Sequence, residues 1–311
     1  MGSHTPVSLV KFLSAERGLT ALKEGALCWY APHMFKDPFE ASYQTDLGFD
    51  QAQFTKALIK RISAMLFLRD DPEGSMTPIK KAVKRWRVEQ RFRSEDEAEE
   101  ALVHLLPTMV GNHFNDIQAQ YDRWRLYAYN ARLVCLSDNI NDVDLWQHAA
   151  DHHRGFAIRF KVGPDHCFSK PHKVNYRSAR VKLLSLDEEL DRFISGVNVE
   201  QDKDLEGRLL SKSKHYAQQR EWRCIARAQR PSQPDSQATS RGAIEIKPFE
   251  AEAVMAVYFG LNMPQETTRE VLALLEQRYP KAKLYLAKLS DHSYEMEFVQ
   301  TDPEAFKLDA G

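Results

Sequence analysis

The stretch "SLVKFLSAERGLTALKEGALCWYAP" (Ser8 to Pro32) decides the fold class, because strand and helix periodicity meet within it. "SLVKFL" reads as a β-strand. Ser14 offers an N-cap, and Leu19 and Leu22 follow at i, i+3 spacing on one helix face. Gly25 stands where a left-handed residue ends such a helix. "ALCWYAP" is then a second strand, closed by Pro32, which has no amide to donate. The next segment, "HMFKDPFEASY" (His33 to Tyr43), turns at Asp37-Pro38. Phe39 is expected to anchor that turn in the core, with the acid Glu40 beside it.

From about Asp50 to Asn130 the period becomes helical. "FTKALIKRISAMLFL" sets Phe54, Leu58, Ile62 and Leu66 at four-residue spacing. "PIKKAVKRWRVEQRFR" is basic, and "SEDEAEEALVHLL" opens on a capping box of Ser94 and Glu97. Leu58, Ile62, Leu66, Trp86 and Leu105 are expected to be buried in this inserted layer. Most of the remainder reads as strands: "ARLVCLS", "GFAIRFKV", "HKVNYRS", "EWRCIARA", "GAIEIKP", "AVMAVYFG", "KLYLAKLS" and "SYEMEFVQ". Helices are expected at "SLDEELDRFISGV", "LEGRLLSKSKHYAQQ" and "PQETTREVLALLEQRY". "QRPSQPDSQATSRG" (229–242) reads as a mobile hairpin loop. The sum is a single α+β domain over 5–302 with a mixed, largely antiparallel sheet and a helical insertion at about 50–130.

The balance of 43 basic and 44 acidic side chains leaves a formal net charge of -1, so no global pull toward nucleic acid or anionic lipid exists. The four cysteines are widely spaced and read as buried thiols of a reducing compartment. No stretch approaches the roughly 18 apolar residues of a membrane span. A cytoplasmic protein without membrane contact is therefore expected. No Gly-x-Gly-x-x-Gly or Walker loop occurs.

Three constellations bear on chemistry. "LWQHAADHHRGFAIRF" (Leu145 to Phe160) places His148 and His152 at i, i+4, but no third ligand accompanies them, so two solvated histidines and no metal site are expected. His153 and Arg154 stand where a helix gives way to a strand. Arg154 there either clamps phosphate or caps helix carbonyls. "QQREWRCIA" (Gln218 to Ala226) puts Glu221 at a strand entrance, on one face with Arg223. That acid is either a catalytic carboxylate or half of a salt bridge to Arg223 or Arg154. "VKRWRVEQRFR" (Val83 to Arg93) interleaves aromatics with cations, and is either a nucleic-acid contact or an amphipathic helix with Trp86 inward.

Together these stretches resemble a bacterial family known as domain of unknown function 2971. "LVKFLS" stands for that family's opening strand and "ALCWYAPHMFKDPFE" for its Asn-Asp-Pro-Phe-Glu turn. "CLSDNINDVDLWQHAADHHRGFAIRF" matches its Ser, Trp and His-x-Gly pattern, "KSKHYAQQREWRCI" its Glu-Trp-Arg close, and "VYFGLNM" its late Gly strand. Phe12, Lys36 and His148-Ala149-Ala150 depart from the pattern.

A weaker resemblance, to the DNA-modifying toxins of the ADP-ribosyltransferase superfamily, rests on the strand–helix–Gly–strand opening and the acid before a late strand. It implies a split sheet that binds NAD in its cleft, and transfer of ADP-ribose from NAD to nucleic acid or protein by a toxin or phage-defence effector. On that resemblance Glu221 would be catalytic, stabilising the oxocarbenium-like ribose. Lys11, Tyr30, Trp146, His153 and Arg154 would hold the nucleotide, supported by Asp37, Glu40, Ser137 and Arg223. The alternative is a catalytically inactive module that senses a nucleotide or partner through the same cleft. Glu221 discriminates: an enzyme needs it in an open cleft, whereas a sensing module can bury it in a salt bridge.

Overall fold

Ser14 starts the first helix as its position suggests. The structure, a computed structural model, describes residues 5–40, 47–68, 75–181, 184–196, 205–230 and 243–302. Strand β1 (Ser8–Leu13) leads into helix α1 (Ala15–Glu24), where the Ser14 side chain accepts from the Arg17 amide. Gly25 adopts φ 66°, a left-handed conformation that costs glycine nothing, and its amide donates back to Ala21. Strand β2 (Ala26–Tyr30) follows at once.

The chain divides into two compact units, the first comprising Met1–Ala41, Tyr129–Ala179 and Leu209–Gly311. It is built on a mixed, mostly antiparallel sheet. The further strands are β3 (Ala131–Ser137), β4 (Phe156–Lys161), β5 (His172–Lys173), β8 (Glu221–Arg227), β9 (Ile244–Pro248), β10 (Val254–Phe259), β11 (Lys283–Leu289) and β12 (Met296–Thr301). The order is β12-β11-β10-β4-β1-β3-β2-β9, with β8 on β3 and β5 on β8. Only β10 and β11 run parallel in it, among the described residues.

Strand β3 is the branch point. One edge pairs with β8 along its whole length, from Ala131↔Arg227 to Ser137↔Glu221. The other edge meets β1 only at Val10↔Ser137 and β2 only at Tyr30↔Leu133. Thus β1 and β2 share an edge of β3 and part from each other between those two points. The sheet opens there.

Alternation of side chains gives the sheet two apolar faces. Leu9, Leu13, Trp29, Leu136, Phe160 and Trp222 form one, packed against Leu22 of α1 and Leu275 of α9 (Gln265–Arg278). Val10, Phe12, Ala157 and Tyr258 form the other, packed on Trp146 of α6 (Val143–His148). Each fully buried Leu or Phe contributes roughly 1.5–3 kcal/mol.

The second unit comprises Ser42–Ala128 and Arg180–Arg208 and is helical. Helices α2 (Gln51–Phe67), α3 (Pro78–Val88), α4 (Glu95–Leu105), most of α5 (Pro107–Asn130) and α7 (Leu186–Ser195) surround Phe54, Leu58, Ile62, Leu66, Val83, Leu102 and Ile194. Trp86 packs half-buried against that core, on the amphipathic side of the two readings of its helix. Leu105 departs from expectation at 48% exposure. Ala98 and Leu102, at i, i+4, take the buried stripe of α4, which turns Leu105 outward.

"LEGRLLSKSKHYAQQ" is not one helix. Helix α8 (Leu205–Leu209) gives way to β7 (Ser211–Ser213), paired in parallel with β6 (Asn175–Arg177), and then to a 3-10 turn over Lys214–Gln219. Pairing with β6 claims the backbone of β7, and Ser213 caps the turn that follows. Arg220, left-handed at φ 44°, ends it. Most of the expected mobile loop at 229–242 lies outside the described residues. No described helix is long and apolar enough to cross a membrane.

Candidate functional site

The opening between β1 and β2 holds a cleft of about 360 Å³. Helix α1 presents Glu16, Arg17, Thr20 and Glu24 to it, and α6 presents Asp144, Leu145 and His148. On β2, alternation sends Leu27 and Trp29 into the core and leaves Ala26, Cys28 and Tyr30 on the other face. Lys36, Gln219 and Ile246 complete the wall.

Lys11 forms the floor. Its Nζ donates to the Cys135 carbonyl at 2.9 Å. Cys135 lies between the two residues where β3 meets β1 and β2, so the lysine takes the place of a strand amide. Burial pushes the Lys11 ammonium down from its ordinary value; Cys135 and Glu221 oppose that shift and Arg17 adds to it. Burial also raises the Tyr30 phenol. The Cys135 thiol stands well above the ordinary range, through burial and then through Glu221.

Behind the floor lies a buried charge network. Arg223 Nε donates to Glu221 Oε1 at 2.7 Å, and Lys212 Nζ to Glu221 Oε2 at 2.6 Å. Lys212 also stands 3.4 Å from Glu40, and Arg223 pairs directly with Glu40. Two carboxylates and two cations thus cancel. The Leu209 carbonyl accepts from Arg223 at 2.5 Å, and the Phe35 ring lies under the guanidinium. Burial lowers Arg223 to about 9, which leaves it protonated at neutral pH. Burial works against the Lys212 ammonium as well, but Glu221 more than offsets it and holds Lys212 above its ordinary value.

Local sequence explains how Glu40 arrives. Asp37 Oδ1 accepts from the Phe39 amide at 2.9 Å, and the Asp37 carbonyl accepts from the Glu40 amide. Asp37 therefore caps the turn. Phe39 is not buried as expected but 68% exposed, because the turn swings the next side chain, Glu40, inward.

Of the nucleotide-binding candidates, Lys11 and Tyr30 line the cleft and three do not. Trp146 is fully buried, edge-on to Phe12 and stacked with His153 and Phe298. An indole so placed cannot stack on a ligand without leaving the core. His153 packs on that indole with left-handed φ 63°, and burial lowers its pKa. Arg154 is exposed and outside the cleft wall. Ser137 Oγ donates to the Gln219 carbonyl at 2.7 Å and so ties β3 to the segment before β8. Glu221 is only 5% exposed and faces the network, not open solvent.

Sequence reasoning missed Arg17, Lys212, Gln219 and Asp144. Gln219 accepts from Lys212 at 2.8 Å and donates to Asp144 at 2.6 Å, linking cleft wall to charge network. His148, expected to be merely solvated, stands 3.4 Å from Asp144 on the cleft wall. Arg17 carried a readable signal, since it lies one turn before Ala21 on a helix flanked by two strands. No group of three or more metal-ligating side chains is present among the described residues. No protein-family model, no curated protein and no solved structure matches this chain.

Proposed function

We propose that this chain binds a nucleotide in the cleft between β1 and β2, as a sensing module of the ADP-ribosyltransferase-like class, with NAD the first candidate. The observation that carries the reading is the opened sheet edge, which brings Lys11 and Tyr30 together in a cleft of about 360 Å³ with Arg17 beside them. That volume falls within the roughly 300–1,000 Å³ of small-molecule sites. Tyr30 offers a ring for a base, and Arg17 and Lys36 offer cations for phosphate. The resemblance to domain of unknown function 2971 and to a split sheet of ADP-ribosyltransferase type belongs to this proposal.

Sensing is favoured over glycosyl transfer by the engagement of Glu221. Stabilising a ribosyl cation needs a carboxylate aimed at the sugar. Both oxygens of Glu221 are held by Lys212 and Arg223. A second reading, NAD cleavage with transfer to nucleic acid or protein, draws on one observation: Glu221 acts electrostatically on Lys11 at the cleft floor.

Calorimetric titration with NAD and ADP-ribose tests the proposal. Arg17→Gln and Tyr30→Ala are expected to weaken binding by about tenfold or more, near 1.4 kcal/mol each. Equal affinities for wild type and both variants, or no binding by wild type, would sink it. Release of nicotinamide from NAD by wild type but not by Glu221→Gln would replace sensing with the enzymatic reading.

A further inference from the structure

We propose that Lys11 is a reactive amine, able to capture as an imine a small aldehyde or ketone that carries an anionic group. The inference goes beyond nucleotide sensing and does not rest on it. Lysine becomes a nucleophile when it is desolvated or set next to another cation. Lys11 meets both conditions. It sits in the middle of β1, between the buried Val10 and Phe12, with its stem held in the sheet. Lys11 lines the cleft, and the hydrogen-bond partner of its amine is neutral, the Cys135 carbonyl.

Among the described residues, no carboxylate in ion-pair contact holds the charge of Lys11. Glu221 acts on it only from a distance, since its two oxygens are committed to Lys212 and Arg223. Arg17, on the first turn of α1, adds a nearby cation. The direction in which burial and Arg17 move the ammonium is consistent with this geometry. Arg17 also defines the ligand class. Its guanidinium makes no ion pair among the described residues, and its fork suits a phosphate or carboxylate. The acids Glu16, Glu24 and Asp144 share the wall, but Asp144 is engaged by Gln219 and His148.

The step balances without an oxidant. The amine lone pair attacks the carbonyl carbon to form C–N, and the C=O π electrons pass to oxygen. Protons move from nitrogen to that oxygen, which leaves as water, so one amine and one carbonyl give one imine and one water. Cyanoborohydride, supplied as a reagent, then delivers hydride to the imine and fixes the adduct.

The test uses the full chain with pyridoxal 5′-phosphate as probe, cyanoborohydride trapping and peptide mapping, without nucleotide. At limiting probe and neutral pH the Lys11 peptide should label several-fold faster than the average lysine. Lys11→Arg keeps the cation and the donor but cannot form an imine, and should lose that adduct. Arg17→Gln should slow labelling by pyridoxal 5′-phosphate several-fold while leaving pyridoxal, which lacks the phosphate, unchanged. Should Lys11→Arg fail to fold, mapping of wild type against pH still decides: Lys11 must label at lower pH than the exposed lysines. Labelling spread over surface lysines, with Lys11 no faster than the rest, would overturn the proposal. So would equal effects of Arg17→Gln on both probes, as regards the anionic group. Nucleotide affinity plays no part in either readout, so the two proposals fail separately.

Discussion

Glu40 and Arg223 form a buried ion pair although 183 positions separate them in the chain. The contact joins the turn after β2 to the third strand position of β8, and so fixes the back of the cleft. Arg223 is fully buried and Glu40 nearly so, which makes the pair sensitive to the loss of either partner. Its worth lies less in net stability than in where it places the turn, because burying two charges costs about what their attraction returns.

Glu40→Gln is therefore expected to destabilise the protein by about 3–5 kcal/mol, since a buried cation loses a charged partner. Replacing Glu40 and Arg223 together by methionine should cost much less than the sum of the single changes. A urea-denaturation double-mutant cycle measures this coupling. Additive single and double changes would show that the network holds no shared energy.

Trp146→Ala should cost about 3–5 kcal/mol, the range of large-to-small changes in a packed core. The indole is fully buried between Phe12, His153 and Phe298, and its Nε1 donates to the Ile140 carbonyl at 2.7 Å. Trp146→Phe keeps most of the packing and should cost less. If Trp146→Phe abolished ligand binding without loss of stability, the indole would have a direct role that its burial argues against.

Local rules carried the fold further than the site. The caps at Ser14 and Gly25 and the alternation along β3, β4 and β8 are properties of a few adjacent residues, and the chain states them directly. Glu40, Lys212, Glu221 and Arg223 lie on three separate segments, and only the β3–β8 ladder and the turn at Asp37 bring them together. Nothing in "KSKHYAQQREW" marks Lys212 as the lysine that pairs with Glu221. The stretch even reads as helix, because the claim of β6 on its backbone is non-local. Trp146 misled for a related reason: an aromatic near a cluster of histidines looks like a stacking residue until the second face of the sheet is seen to need a core.

Tyr176 gives a pH dependence with a definite sign. Burial raises its phenol from 10.0 to about 12, and its oxygen accepts the Glu221 amide at 2.8 Å. A raised acid pKa means that the folded chain keeps a proton the unfolded chain gives up. Stability from this group is present below pH 10.0 and is lost as pH rises toward about 12. The stability difference between wild type and Tyr176→Phe should thus shrink over that window by on the order of 1 kcal/mol or more. A difference constant from pH 9 to 12, in urea titrations at stepped pH, would contradict the burial of the phenol.

Gly155 and Gly111 should respond oppositely to alanine. A Cβ at Gly155 would stand 2.1 Å from the Leu13 carbonyl and 2.9 Å from the Ser14 Cα, both backbone atoms that cannot rotate away. Those atoms end β1 and cap α1, so relief of the clash must displace the two elements that frame the cleft. Gly155→Ala is expected to destabilise by about 1–3 kcal/mol or more and to weaken any cleft ligand in parallel. Gly111 lies inside α5 with nothing within 4 Å of an added Cβ. Gly111→Ala removes backbone freedom from the unfolded chain at no steric cost, and should stabilise by about 0.5–1 kcal/mol. Urea midpoints moving in opposite directions, with ligand affinity lost only in Gly155→Ala, are the expected pattern. A Gly155→Ala protein of unchanged stability and affinity would mean that β1 and the start of α1 can shift freely, and the cleft would not be the rigid site described above.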